Sequence, residues 1–183
     1  MQRELVERAM ADDRDAFTEL QRGLIDKLYA IARLILRDSD KAQDATQEAF
    51  IAAWRRLSGL RDSDKFEPWI RRLLVNACYE EARKEKRRVK AEGRVRPIDT
   101  DTVDPAIVSA DRDELARAFE TLAPEQRALI VLHYHFGLPM HEIALALGLP
   151  VGTVKSRLHR TKQQLRATLE AEARLPLLEG GAP

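Results

Sequence analysis

Apolar residues recur at helical spacing along most of this 183-residue chain. Ala16, Phe17 and Leu20 form a short apolar edge that Leu24, Leu28, Ile31 and Ile35 extend, which predicts two helices within residues 1–37. Asp38, Ser39 and Asp40 interrupt the pattern. Asp40, followed three residues later by Gln43, has the spacing of a helix-capping pair, so the next helix is predicted over 41–57. Its core stripe holds Ala42, Thr46, Phe50, Ala53, Trp54 and Leu57. Opposite lie Lys41, Asp44, Glu48, Ala52 and Arg55, flanked by Gln47 and Ile51. After a polar loop at 61–65, a further helix begins near Phe66, with Pro68 tolerable in its first turn. Phe66, Trp69, Ile70, Leu73 and Ala77 face its core.

The periodicity lapses over 96–112, where Pro97 and Pro105 sit among Asp99, Asp101, Asp104 and Asp111, the pattern of a flexible linker. Leu115, Ala118, Phe119 and Leu122 then mark a helix beginning near Asp113. Pro124 opens another that carries Ala128, Leu129, Val131 and Leu132 inward and ends near Phe136 and Gly137. Ile143, Ala144 and Leu147 make one apolar edge of a short helix. Gly148 stands where a helix ends on a left-handed residue, and Pro150 suits the first turn of the helix that follows. Val154, Leu158, Thr161, Leu165 and Leu169 share one face of that last helix. The expected fold is all-α, with two small helical domains joined by a flexible linker and a helix-turn-helix in the C-terminal one. The bounds are 1–95 and 113–175, with the linker at 96–112 and a tail at 176–183.

Charge singles out two of these helices. Lys155, Arg157, Arg160, Lys162 and Arg166 place five cations on the last one, with no acidic residue between Gly152 and Ala167. A basic helix after a tight turn is suited to DNA, because phosphate neutralisation needs clustered cations. A plain helical hairpin with a solvated basic face has the same spacing. On the earlier helix, Arg72, Asn76, Tyr79 and Arg83 share one stripe, and Lys84, Lys86, Arg87, Arg88 and Lys90 follow. Cation, amide and aromatic on one face suit single-stranded DNA, whose phosphates need charge and whose unstacked bases need a π-surface. A solvated helix end, favoured by the helix dipole, is the alternative. The outer face of the 41–57 helix mixes charge with aliphatic surface, a face able to dock a partner helix or simply to stand in water.

Composition narrows the classes. Charged residues reach 33% and aromatics 5%, a balance that suits helices and argues against a β-sandwich. Net charge is only +1, so the cations are segregated rather than general. The single cysteine, Cys78, excludes an internal disulfide and fits a reducing cytoplasm. No apolar run approaches the roughly 20 residues needed to span a bilayer, and the N-terminus lacks a signal-peptide core. A cytoplasmic protein without membrane insertion is expected. His141 and Glu142 begin a zinc-protease motif, but Leu145 takes the second histidine's place, and His133 and His135 lack cysteines to complete a site. No glycine-rich phosphate loop or nucleophile elbow occurs. Cys78, inside an amphipathic helix, is a small core residue. No catalytic residue, metal or cofactor is expected.

Three segments carry a family resemblance. GLPVGTVKSRLHR is similar to the helix-turn-helix of bacterial RNA polymerase sigma factors, in particular the extracytoplasmic-function group. DKAQDATQEAFIAAWRRL and FEPWIRRLLVNACYEEARKEKRR resemble two further segments of the same family, and the resemblance spans roughly residues 10–170. It implies a non-enzymatic factor that binds core RNA polymerase at the clamp coiled coil of the β′ subunit and directs initiation at promoter DNA. Polymerase binding is implied for Asp44, Gln47, Glu48 and Ile51. Recognition and melting of the minus-ten element are implied for Arg61, Arg72, Asn76, Tyr79, Arg83, Lys84 and Arg87, with the 61–65 loop pocketing a flipped base. Duplex recognition of the minus-thirty-five element is implied for Thr153, Lys155, Ser156, Arg157, Arg160 and Lys162. An anti-sigma factor is implied as a further partner. Met140 and His141 stand where the family more often has a capping serine, so that helix is expected to start weakly capped. The rival reading is a sigma mimic that sequesters an anti-sigma factor, which has no use for clustered cations in both domains.

Overall fold

The computed structural model describes residues 2–92 and 110–174, so most of the predicted linker and the whole tail lie outside the described residues. Among the described residues there are eight α-helices and no strand: α1 (Gln2–Met10), α2 (Arg14–Leu36), α3 (Ser39–Arg56), α4 (Phe66–Glu92), α5 (Ala110–Glu120), α6 (Pro124–Ile130), α7 (Met140–Leu147) and α8 (Val151–Arg174). None is long and apolar enough to cross a membrane.

Side-chain caps set the starts of the early helices. Asp13 accepts from the Ala16 N–H at 3.0 Å and opens α2. Asp38, not Asp40, caps α3. Its Oδ1 accepts from the Lys41 N–H at 3.0 Å, so the helix begins two residues earlier than the Asp40–Gln43 spacing suggested. Asp40 sits in the first turn, where its charge favours the positive end of the helix dipole. Lys41 also departs from expectation. It is half-buried, its Nζ lying 3.0 Å from Asp38 and 3.4 Å from Glu85, and so it ties α3 to α4 instead of facing water.

The first domain packs α2, α3 and α4 together, with α1 against α2. Ala42, Ala45, Ala49 and Ala53 of α3 are fully buried, and such small residues let neighbouring helices come close. Phe66, Ile70, Leu74, Val75 and Cys78 of α4 fill the centre, and Phe17 meets Phe50 edge-on with ring centroids 6.4 Å apart. Each Phe, Ile, Leu or Val so buried contributes about 1.5–3 kcal/mol relative to exposure.

In the second domain α5 starts at Ala110, slightly ahead of the expected Asp113. Leu115, expected in the core, is 47% exposed; α5 meets α8, with Ala118 and Leu122 the buried residues of its stripe. Gln126 accepts from the Ala123 N–H at 2.9 Å at the start of α6 and donates to Gln164 on α8 at 2.6 Å. The end of α6 widens into a π-helical turn over 131–135, where the Phe136 N–H reaches back to the Val131 carbonyl. No side chain caps α7, whose preceding residue is Pro139, in keeping with the expected weak start. Gly148 ends α7 at φ +64°, and the Leu149 N–H closes onto the Ala144 carbonyl at 3.0 Å. Val154, Leu158 and Thr161 anchor α8.

The two domains are in contact. α7 and α6 pack on α4, and α6 also packs on α2, so one apolar core runs from Val6 to Leu158. Arg37 ends α2 in the left-handed region at φ 58°, uncommon for a residue with a β-carbon. From there it donates to the Ala116 carbonyl at 3.1 Å and pairs with Glu120, both on α5.

Candidate functional site

The outer side of α3 divides into two surfaces. Gln47 and Ile51 line an open groove of about 930 Å3 between α2 and α3, whose other walls include Ile25, Tyr29, Trp54 and Arg55. Ile25 and Tyr29 are 40% and 36% exposed, large apolar groups left for something to cover. Asp44 and Glu48 stand exposed on the neighbouring face, near enough to Lys84 of α4 to support its charge. The four predicted docking residues therefore divide between an acidic rim, Asp44 and Glu48, and an adjoining trough of mixed polar and apolar lining, Gln47 and Ile51. Trp54, expected in the core, is half-buried and shared with the trough.

The stripe on α4 is only partly open. Arg72, Asn76, Arg83 and Arg87 are exposed, whereas Tyr79 is half-buried. Burial raises the Tyr79 hydroxyl above its ordinary range, helped by Glu125 and opposed by Arg157 and Arg83. The cations are also less free than their number suggests. Arg83 pairs with Glu80, Lys84 with Glu81 at 2.5 Å and Arg88 with Glu85 at 3.3 Å, each three residues apart. Arg83 and Lys84 are well exposed, so their pairs are weak and open to exchange for phosphate. Arg61 is exposed beside the short 3-10 turn Ser63–Lys65, which Asp62 caps by accepting from the Asp64 N–H.

The outward face of α8 is continuous. Lys155, Ser156, Arg157, Arg160 and Lys162 are exposed and Thr153 is half-buried. Lys162 lies 5.7 Å from the ring centroid of Tyr134, which the π-helical turn projects outward at 54% exposure. A cation held over a ring face keeps its charge while losing some of its freedom.

Two buried groups carry shifted protonation. Burial, with the Glu81 carboxylate nearby, pushes the Cys78 thiol up to about 12 from 9.0. The folded chain thus keeps a proton that the unfolded chain releases, so the stabilisation from the neutral thiol is complete below pH 9 and fades as the pH rises toward 12. Urea unfolding will show this as a loss of about 1.4 kcal/mol per pH unit above pH 9, absent from Cys78→Ala. Arg127 is lowered to about 10, first by burial and then by Arg37, with Glu125 and Glu120 acting against the shift. Its Nε is buried without a partner.

The sigma-70 region 2 family matches residues 20–88, and the sigma-70 region 4 family matches residues 112–165. The chain is 35% identical over 163 residues to the ECF RNA polymerase sigma factor SigE of Mycolicibacterium smegmatis, covering 82% of this chain and spanning 60% of that relative. It is 32% identical over 169 residues to the ECF RNA polymerase sigma factor SigW of Bacillus subtilis, covering 86% of this chain and 90% of the relative. The chain belongs to the extracytoplasmic-function (ECF) family of RNA polymerase sigma factors. As an ECF sigma factor it is a transcription initiation factor, not an enzyme. Its fold is also similar to the sigma factor RpoE of Bartonella quintana, solved in complex with the anti-sigma factor NepR. That match has a TM-score of 0.70 and 25% identity over 84% of this chain and 96% of the other.

For this sigma factor the structure brings Arg72, Asn76, Tyr79 and Arg83 onto one side of α4, and it leaves Lys155, Ser156, Arg157, Arg160 and Lys162 of α8 exposed around its outer side. Three things escaped the sequence. Ile25 and Tyr29 line the trough from α2; they sit four residues apart, each one position past the core stripe, and that offset was the available signal. Glu80 and Glu81, at i−3 from Arg83 and Lys84, signalled the pairing along α4. Arg37 and Arg71, which reach across to the second domain, left no local signal.

Proposed function

We propose that this sigma factor holds core RNA polymerase through the outer side of α3, engages a separated promoter strand through α4 and reads the upstream duplex element through α8. The observation that carries the reading is α8, where Val154, Leu158 and Thr161 are buried while Lys155, Ser156, Arg157, Arg160 and Lys162 are exposed. A helix anchored by one side and charged on the other fits the major groove, its N-terminal residues at base edges and its cations at phosphates. Thr153, in the first turn, adds a hydroxyl there. On α3, the rim of Asp44 and Glu48 and the trough bounded by Gln47 and Ile51 suit the clamp coiled coil of the β′ subunit, a helical partner whose apolar ridge lies in a groove. On α4, Asn76 and Tyr79 contact bases, while Arg72, Arg83, Lys84 and Arg87 contact phosphates. Arg61 and its loop hold a flipped base. The domain bounds are 1–95 and 113–175 with the linker at 96–112. An anti-sigma factor is a further partner, and the protein works in the cytoplasm.

Transcription from a promoter library by purified core polymerase, with and without this chain, tests the reading. Defined start sites that depend on the chain are expected; none appearing would refute it. Arg157→Ala is expected to lose about 1–3 kcal/mol at one upstream base pair, roughly 5- to 150-fold in affinity. Competition with single-base variants of the selected promoter measures it. An equal loss on every sequence makes Arg157 a phosphate anchor.

A further inference from the structure

Between buried Leu57 and buried Phe66 no residue is buried, and only Leu60 and Ser63 are partly sheltered. Burial therefore does not fix the shape of this loop. Two short 3-10 turns, Leu57–Gly59 and Ser63–Lys65, lie within it, and 3-10 hydrogen bonds are poorly aligned. The exposed Arg61 stands between them. α1 packs on both turns as well as on α2, with its Val6 and Ala9 buried in the core. Its polar side chains then grip the loop. The Ser63 hydroxyl donates to Glu7 Oε1 at 3.2 Å, and Arg3 donates to the same oxygen at 2.8 Å. The Arg3 Nη1 also reaches Asp64 at 3.5 Å, and Gln2 donates to Glu67, in the first turn of α4, at 2.9 Å. The Glu7 carboxyl is held below its ordinary range, first by Arg3 and then by Ser63. One guanidinium and one carboxylate tie a helix fixed by the core to a loop that is not.

We propose that α1 is a brace for the base-holding loop, with Arg3 and Glu7 as positioning residues that shape the pocket without touching DNA. The brace rests on the base-holding role proposed for Arg61 and its loop. A base turned out of its stack gives up stacking energy. Walls that must first be ordered return less of it than walls already in place. The bonds from α1 are well exposed, and exposed ion pairs are individually weak. They are too small to decide whether the domain folds. A loop with no core of its own needs only a small bias, because apparent affinity follows the fraction of chains in the competent shape.

The test uses holoenzyme assembled from core polymerase and the full chain, with a fluorescein-labelled single strand from a promoter that this factor opens. Anisotropy is measured with each base of the strand replaced in turn, which gives a preference at every position. Arg61→Ala marks the position that the loop holds, by flattening its preference. Arg3→Ala combined with Glu7→Ala is expected to lower that one preference roughly fivefold and to leave the others within about twofold. A control that removes the same two charges, Glu4→Ala with Arg22→Ala on exposed sites of α1 and α2, is expected to match the unaltered chain. No loss at the marked position overturns the brace while the role of Arg61 stands. An equal loss at every position overturns it too, since α1 would then only stabilise the domain. If Arg61→Ala flattens no position, the base-holding role of the loop fails and the brace falls with it.

Discussion

Replacing Asp44 and Gln47 together with alanine will leave the helices intact and weaken capture of core RNA polymerase by about 2 kcal/mol, roughly thirtyfold. Both side chains are exposed on α3 and neither caps a helix, so the fold loses nothing that holds it. Alanine is also the best helix former, which protects α3 itself. What disappears is one carboxylate on the rim and one amide at the trough, groups that a helical partner can reach together from one side. Titration of labelled core enzyme with each variant gives the ratio directly, and circular dichroism confirms that helix content is unchanged. Binding within twofold of the unaltered chain would move the polymerase contact away from this face.

The largest expected loss of stability is at Phe66. It is 2% exposed, begins α4 and packs its ring 6.0 Å from that of Trp69. Phe66→Ala removes this buried volume where the preceding turn is fixed, since the Phe66 N–H already bonds the Ser63 carbonyl. The surrounding helices cannot collapse fully into the space, so a cost of about 3–5 kcal/mol is expected. Against a total stability of about 5–15 kcal/mol, that is a fifth or more. Urea denaturation followed by circular dichroism measures it, and a loss below about 1 kcal/mol would mean that the site refills.

Much of this architecture was legible in the sequence because helices write their period into the chain. The stripe from Leu24 to Ile35, the inward face of α4 and the glycine that ends α7 each follow from local rules, and each is found where those rules put it, except that Trp69 of α4 is half-buried. The caps were less secure. Asp38 and Asp40 offer the same oxygen two residues apart, and the structure uses the first, where Lys41 also meets Glu85. Leu115 looked like a core residue because its period is right, yet α5 keeps only part of that stripe buried. The outer faces were legible as candidates and no further. Periodicity says which side of α4 is polar, whereas whether Tyr79 lies open depends on a domain whose nearest described residue is eighteen positions beyond the end of that helix. Arg37 and Glu120, separated by 83 residues, give no pattern to read.

The packing of α3 along α4, close because α3 buries four alanines, and the Lys41 bridge to Glu85 make the two helices one stiff piece. In the proposed function that piece acts as a lever of fixed angle: whatever grips α3 also aims α4. A bulkier residue at Ala45 would therefore tilt the aim without touching either ligand, and transcription would suffer at the melting step while polymerase capture stayed whole.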